Sequence, residues 1–335
     1  MPADILIIGQ GLAGTLLAWE FERAGISFGI ADAGHEGAAT SAAAGIINPI
    51  TGRRLVKTWR VEALLPAART TYRSIEDALG VELWHEVRVR RLFRDERERR
   101  IFGEKRAGGS LAPFAGAEDR DGFWIEGAAR VDLPALLAAA RARWQAQGRL
   151  RVGGAASMAG AAGHELVVDC TGLAAARGGE FNFVPWEFSQ GEMLEVAVEG
   201  LARDVVLNAG HWILPVATDA AWVGATHRPG VLDRQPTVAG RAVLEASARM
   251  LLGRPFHVTG QRAGVRVNLP DKRPVAGRHP QNPRLGLING LGAKGALYAP
   301  MLARQWVGHL ATGAGFEPEI DVRRFWRSPE SCLIR

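Results

Sequence analysis

Asp4-Ile5-Leu6-Ile7-Ile8-Gly9-Gln10-Gly11-Leu12-Ala13-Gly14 is a short apolar run that breaks into three closely spaced glycines. The run suits a strand buried in a parallel sheet. After it, Leu16, Leu17, Phe21 and Ala24 recur at helical spacing, and Gly25 stops the helix. Phe28-Gly29-Ile30-Ala31 reads as a second strand ending at Asp32. Strand, glycine turn, helix, strand and acid together make the dinucleotide-binding unit; three glycines alone would not.

Each part has a physical task. Gly9 permits the tight turn, Gly11 lets backbone approach a pyrophosphate, and Gly14 lets the helix pack closely on the strand. Leu12 and Ala13 open the helix, whose unpaired N–H groups and positive dipole end favour phosphate. Asp32 lies 18 residues beyond Gly14 and is placed to accept hydrogen bonds from a ribose. A carboxylate there would repel a 2′-phosphate, which argues against NADP. The unit alone leaves NAD and FAD both open.

Three later segments add to it. Thr40-Ser41-Ala42-Ala43-Ala44-Gly45-Ile46 is a run of small residues that would let backbone lie close to a flat ring. Leu166-Val167-Val168-Asp169-Cys170-Thr171-Gly172 reads as a central strand returning beside the first, its turn near the same pyrophosphate. Leu285–Asn289 is a further strand, and Gly290-Leu291-Gly292-Ala293-Lys294-Gly295 starts a helix running to about Ala311.

With these pieces in place the sequence resembles the D-amino-acid oxidase family of FAD-dependent oxidoreductases, which includes glycine oxidase and monomeric sarcosine oxidase. The resemblance spans nearly the whole chain. It takes in the N-terminal unit, Ser41–Gly45, Thr171-Gly172, Trp212-Ile213-Leu214-Pro215 and Val223-Gly224-Ala225-Thr226. It continues in Gly264-Val265-Arg266, Asp271–Gly277, Gly290–Gly295 and Asp321–Phe325. It implies an α/β fold, with a Rossmann-like FAD-binding domain of glutathione-reductase type and an interleaved antiparallel-sheet substrate domain.

The resemblance also implies non-covalent FAD and oxidation of a C–N bond in an amine or amino acid, by hydride transfer to flavin N5. Gly9, Gly11, Leu12, Ala13, Gly14, Asp32, Ser41, Ala44, Gly45, Ile46, Thr171, Gly172, Gly292, Ala293, Lys294 and Gly295 are the expected cofactor contacts. Arg266, Asn48 and Trp212 are the expected substrate contacts. Arg266 and Lys294 carry the catalytic expectation. A guanidinium fork matches a carboxylate, while Lys294 at a helix start opposes the dipole unless it neutralises charge on reduced flavin. The blander reading of Arg266 is an ion pair with Asp271.

Two departures bear on the substrate. The family commonly has Arg-Pro where this chain has Arg266-Val267, and tyrosines commonly line the pocket where this chain offers only Tyr72 and Tyr298 in all. Trp212 or His211 stands where an aromatic hydroxyl is expected. These departures point away from the smallest amino acids and leave a bulkier or uncharged amine open.

The interleaving places 1–50, 125–185 and 262–335 in the FAD-binding domain, and 51–124 and 186–261 in the substrate domain. In the latter, Phe188–Glu199, Val205–Leu207, Trp212–Val216 and Ala221–Thr226 read as antiparallel strands. Leu64–Leu79 and Val238–Leu252 read as helices, and Gly153–Gly163 as a strand with a hairpin loop.

Composition excludes several classes. The 335 residues are 47% hydrophobic and 23% charged, which is ordinary globular usage. Only Cys170 and Cys332 occur, so no disulfide scaffold or cysteine-based metal site is expected. The apolar run at the N-terminus is too short for a signal peptide, and no run is long enough for a membrane span. A cytoplasmic protein is the expectation; the sequence assigns no oligomeric state. Gly290–Gly295 lacks the spacing of a P-loop, and Gly25-Ile26-Ser27-Phe28-Gly29 runs helix-to-strand, opposite to a serine-hydrolase elbow. No histidine pair has metal-ligand spacing on a helix.

Net charge is +6, and Arg88 to Arg100 holds seven arginines against Asp95, Glu96 and Glu98. A patch of this kind attracts nucleic acid unless its charges are answered internally. It is the one support for a flavin oxidase acting on a modified wobble uridine of tRNA. A non-catalytic flavin-binding protein is the remaining alternative.

Overall fold

The computed structural model describes residues 5–34, 38–153 and 163–327. Most of the Gly153–Gly163 segment, and Cys332, lie outside the described residues.

Ile5–Ile8 is buried along its whole length because it pairs in parallel with Phe28–Asp32 on one side and Leu166–Asp169 on the other. Leu285–Asn289 extends the sheet beyond Leu166–Asp169, and Val275–Arg278 closes that edge antiparallel. Leu150–Val152 forms the opposite edge beside Phe28–Asp32. The result is a six-stranded sheet that is parallel except at one edge. The first helix, Leu12–Arg23, buries Leu16, Leu17 and Phe21 and packs on the last long helix, Gly295–Thr312. Trp144 and Trp306 fill the same core.

The second sheet has ten strands. Glu187–Ala197 pairs antiparallel with His257–Asn268 on one side and with Ala220–Gly224 on the other. His211–Pro215 and Val205–Ala209 follow, then Trp84–Leu92, Gly122–Val131 and the short Ile46–Ile47. The pairing of Val205–Ala209 with Trp84–Leu92 is parallel, which departs from the all-antiparallel expectation. Helix Val238–Leu252 covers one face with Leu244, Ala248 and Leu252 against Leu194, Ile213 and Val223.

The chain passes between the sheets at other points than 125 and 262. Gly122–Val131 and His257–Asn268 both belong to the ten-stranded sheet, and each runs well past the expected boundary. Their length explains this, since each is a long strand that runs straight through the division that the interleaving implies.

The arginine-rich run is largely answered internally. Arg91 is buried and pairs with buried Glu98, which also takes Arg94 at 2.8 Å. Arg90 pairs with Asp119 at 2.5 Å and Arg88 with Asp204 at 3.4 Å. Among the described residues no helix is long and apolar enough to cross a membrane.

Candidate active site

A cavity of about 680 Å³ lies between the two sheets, within the range of small-molecule and cofactor sites. From the parallel sheet it is walled by the first glycine turn, by Asp32 to Gly34, by Thr171-Gly172, and by Gly292, Ala293 and Gly295. From the second sheet come Gly191, Trp212 and Arg266, and the small residues from Ala38 to Gly45 run across it.

The first turn is built for close approach. Gly9 has a φ of 91°, in the left-handed region, and its N–H donates to the Ala31 carbonyl. A Cβ on Gly14 would stand 1.9 Å from the Gly9 carbonyl oxygen, so this glycine serves helix–strand packing and stays out of the cavity wall. A Cβ on Gly11 would meet only the Thr40 hydroxyl, at 3.5 Å. The protein itself therefore does not require glycine at 11; a ligand lying on that backbone would. Gly11 is also the helix N-cap and, lacking a side chain, makes no cap bond of its own to the terminal N–H groups. Leu12 N–H donates to Thr40 Oγ1 at 3.2 Å.

Asp32 is 5% exposed, and its carboxylate is already engaged. Oδ1 accepts from Gln10 N–H at 2.8 Å, Oδ2 accepts from Gly34 N–H at 3.1 Å, and Arg141 forms an ion pair with Oδ2. The carboxylate thus ties the glycine turn to the helix Leu133–Ala146. The two later turns are linked as well: Asn289 donates to the Gly172 carbonyl at 2.8 Å and accepts from Gly290 N–H. Thr171 donates through both N–H and Oγ1 to Asp169.

Arg266 projects from His257–Asn268 and lies over Gly191, where a Cβ would stand 2.1 Å from its guanidinium. It donates to the Thr226 carbonyl at 3.3 Å and has no carboxylate partner among the described residues. Burial alone pushes its pKa below the usual arginine value. Asp271, the partner considered for it, pairs with Arg324 instead. Trp212 lies against Gly224, with a hypothetical Cβ there 2.5 Å from the indole.

Gly9, Gly11, Leu12, Ala13, Asp32, Ala44, Gly45, Ile46, Thr171, Gly172, Trp212, Arg266, Gly292, Ala293 and Gly295 all line this one cavity. Gly14, Ser41, Asn48 and Lys294 do not. The Ser41 carbonyl accepts from Arg262, and the Asn48 carboxamide oxygen accepts from Ile50 N–H in a local turn. Lys294 caps the last long helix with its backbone, accepting from Leu297 and Tyr298 N–H. Its half-buried ammonium has no carboxylate partner among the described residues, and burial pushes its pKa down. Gly292, Ala293 and Gly295 bring the helix start to the cavity wall, and Lys294 is not among the residues that line it.

Sequence reading missed Arg141, Thr40, Asn289, Arg177 and Arg234. Arg141 stands 109 residues from Asp32 with no local motif, whereas Thr40 sits inside a quoted run beside the chosen Ser41. Both tyrosines are buried away from the wall; Tyr72 donates to the Ala296 carbonyl.

A parallel sheet with a glycine turn feeding an uncapped helix, facing a second sheet across one cavity, defines a dinucleotide-binding oxidoreductase fold. Residues 4–308 match the FAD dependent oxidoreductase family DAO, and the chain belongs to that family. It is 26% identical to the glycine oxidase of Bacillus licheniformis, over 89% of this chain and 90% of that one. It is 29% identical to the tRNA 5-methylaminomethyl-2-thiouridine biosynthesis bifunctional protein MnmC of Maricaulis maris, over 93% of this chain. The chain spans about half of that relative, 53% of its length. Among solved structures, glycine oxidase from Geobacillus kaustophilus superposes with a TM-score of 0.77 at 22% identity, covering 98% of this chain and 99% of the other. Iminodiacetate oxidase from Chelativorans sp. BNC1 gives 0.75 at 23%, covering 96% and 98%.

FAD fits what the residues build. Gly11 offers bare backbone where a diphosphate would lie, and the small residues from Ala38 to Ala44 form a wall without bulky side chains. Cys170 lies in the wall, but burial pushes its thiol pKa well up and keeps it protonated.

Proposed function

We propose that the protein oxidises the C–N bond of an amine bearing a carboxylate, with non-covalent FAD as the acceptor of two electrons. The observation that carries this is Arg266: a half-buried guanidinium in the cavity wall, answered by no carboxylate among the described residues. Such a group is costly unless an anion arrives to pair with it, and its fork suits a substrate carboxylate. Trp212 supplies an apolar flank beside it. The part of the chain that carries Trp212 and Arg266 would act as the substrate domain, facing the FAD-binding parts across the cavity.

The residues also limit the chemistry. The titratable groups in the wall are Asp32, which is ion-paired, Cys170, which is held protonated, and arginines. Among the described residues no histidine, glutamate, lysine or tyrosine lines it. The amine would therefore enter already deprotonated, and the chain's task is to hold the carboxylate and orient the α-carbon.

An anaerobic screen of amines by flavin bleaching tests the reading directly. Arg266→Gln should raise the substrate dissociation constant about 10- to 100-fold, corresponding to 1.5–3 kcal/mol for a charge-assisted hydrogen bond. Acid precipitation should leave the flavin in the supernatant. A flavin that no carboxylate-bearing amine reduces would sink the proposal.

A second reading rests on the relative named for tRNA 5-methylaminomethyl-2-thiouridine biosynthesis, which matches 93% of this chain. In that reading the amine is carried on a tRNA uridine. Salt-dependent tRNA binding by the purified protein separates the two.

A further inference from the structure

We propose that Arg234 is a second anion contact on the substrate side of the cavity, so that the substrate carries another negative group besides the carboxylate held by Arg266. This rests on the reading of Arg266 given above. Among the described residues the charged side chains in the wall are Asp32, Arg177, Arg234 and Arg266. Asp32 is neutralised by Arg141, which leaves three guanidiniums and no free carboxylate among the described residues.

The three arginines divide between the two sides. Arg177 ends the short helix Leu173–Arg177 that follows the Gly172 turn, on the side of the parallel sheet where a diphosphate would lie. Arg234 belongs to the other side. Its segment is fastened to the second sheet: Gly230 N–H donates to the Phe188 carbonyl at 2.8 Å. Gln190 Nε2 donates to the Gln235 carbonyl at 3.0 Å, and Gln190 Oε1 accepts from Arg228 at 2.9 Å. Gln190 immediately precedes Gly191, the residue beneath the Arg266 guanidinium. Arg234 thus enters the cavity one residue from a segment anchored beside Arg266, and it has no ion-pair partner among the described residues.

The two sites differ in strength. Arg266 is half-buried and orients its anion, whereas Arg234 is exposed at the rim, where water and salt screen it. A small amine with two carboxylates, one next to the amine and one reaching the rim, satisfies both. A nucleic-acid phosphate offers the same anionic oxygens, but the internal pairing of Arg88, Arg90, Arg91 and Arg94 gives it little further support.

The test uses the FAD-loaded protein and two non-oxidisable probes, acetate and malonate, read by perturbation of flavin absorbance at fixed ionic strength. Malonate should bind about fivefold more tightly than acetate, the range for an exposed charge pair. In Arg234→Gln that preference should fall to near parity, while added salt should erode it in the wild type. Equal affinities in the wild type, or an unchanged preference in the variant, would overturn the proposal. So would loss of FAD from Arg234→Gln, which would put the side chain on the cofactor diphosphate. Displacement of acetate by unfractionated tRNA without any malonate preference would likewise overturn the small-molecule assignment. Arg266→Gln should weaken both probes together; if it weakens neither, the carboxylate site fails while the Arg234 comparison is still read on its own.

Discussion

Asp32 is the side chain whose expected and observed roles differ most usefully. The sequence places it at a strand end as a ribose acceptor, and the structure shows the same carboxylate holding Gln10 N–H, Gly34 N–H and Arg141. Removing it would strand three donors at the turn that shapes the nucleotide side. Asp32→Ala should therefore weaken FAD binding by about 1.5–3 kcal/mol, one to two decades in dissociation constant. Arg141→Gln should have a smaller effect, because both backbone donors keep their acceptor. A fluorescence titration of FAD checks both, and equal losses would mean that the ion pair alone matters. Lys294 makes a separate prediction. Its ammonium is half-buried without a carboxylate among the described residues, so its folded-state pKa lies below its ordinary value near 10.4. The unfolded chain then binds the proton more readily, and the wild type gains stability as pH rises through that interval. Lys294→Met removes the group. The variant should be more stable than the wild type at pH 7, with the gap narrowing as pH approaches 10. Denaturation at saturating FAD measures it, and a gap that does not change with pH would place the ammonium in water.

The first helix and its glycine turn show how local pattern becomes a site. Every residue needed for the turn lies within one window, so the sequence is sufficient to read it. Its tertiary partners are a different matter: Thr40 and Arg141 come from distant segments, and only packing brings Thr40 to Leu12 N–H and Arg141 to Asp32. The long strands Gly122–Val131 and His257–Asn268 were misallocated for a related reason. Alternation shows that a strand exists but not which sheet it joins, since that is settled by the partner strand. Two glycines of the turn can be separated by experiment. Gly14→Ala forces a Cβ to 1.9 Å from the Gly9 carbonyl, and overpacking of this kind costs about 1–3 kcal/mol of stability. Gly11→Ala meets nothing closer than 3.5 Å at a φ of −73°, so the fold should survive with a loss near that of a weakened helix cap. Its FAD affinity should nevertheless fall about tenfold or more. Thermal melts without FAD, set beside FAD titrations, distinguish the two; a stable Gly14→Ala protein with normal FAD affinity would contradict the packing role.

Considered as a whole, the molecule supplies positive charge and shape more than proton-transfer groups. The family's sequence pattern made the FAD side legible from short motifs, and Arg266, singled out by the same pattern, stands in the cavity wall. Lys294 is not among the residues lining the cavity, since a motif fixes backbone at a helix start while the direction of one long side chain depends on packing. Arg234 was missed because an arginine in a Pro-rich segment carries no motif. Among the described residues, what remains in the cavity wall is guanidinium, backbone, the uncharged side chains of Thr40, Thr171 and Asn289, and apolar surface, with Asp32 tied up and Cys170 protonated. An enzyme of this composition should take its pH dependence from the substrate. Below the pKa of the free amine most substrate is protonated and lacks the lone pair that assists loss of the α-hydrogen, so kcat/KM should rise with pH and level off above that pKa. The break should move when a substrate of different amine basicity is used, because kcat/KM reports free enzyme and free substrate. Stopped-flow reduction over a pH series with two such amines gives both breaks. If they coincide at one pH whatever the amine, a group on the protein is accepting the proton, and the assignment of the wall as free of a working base falls.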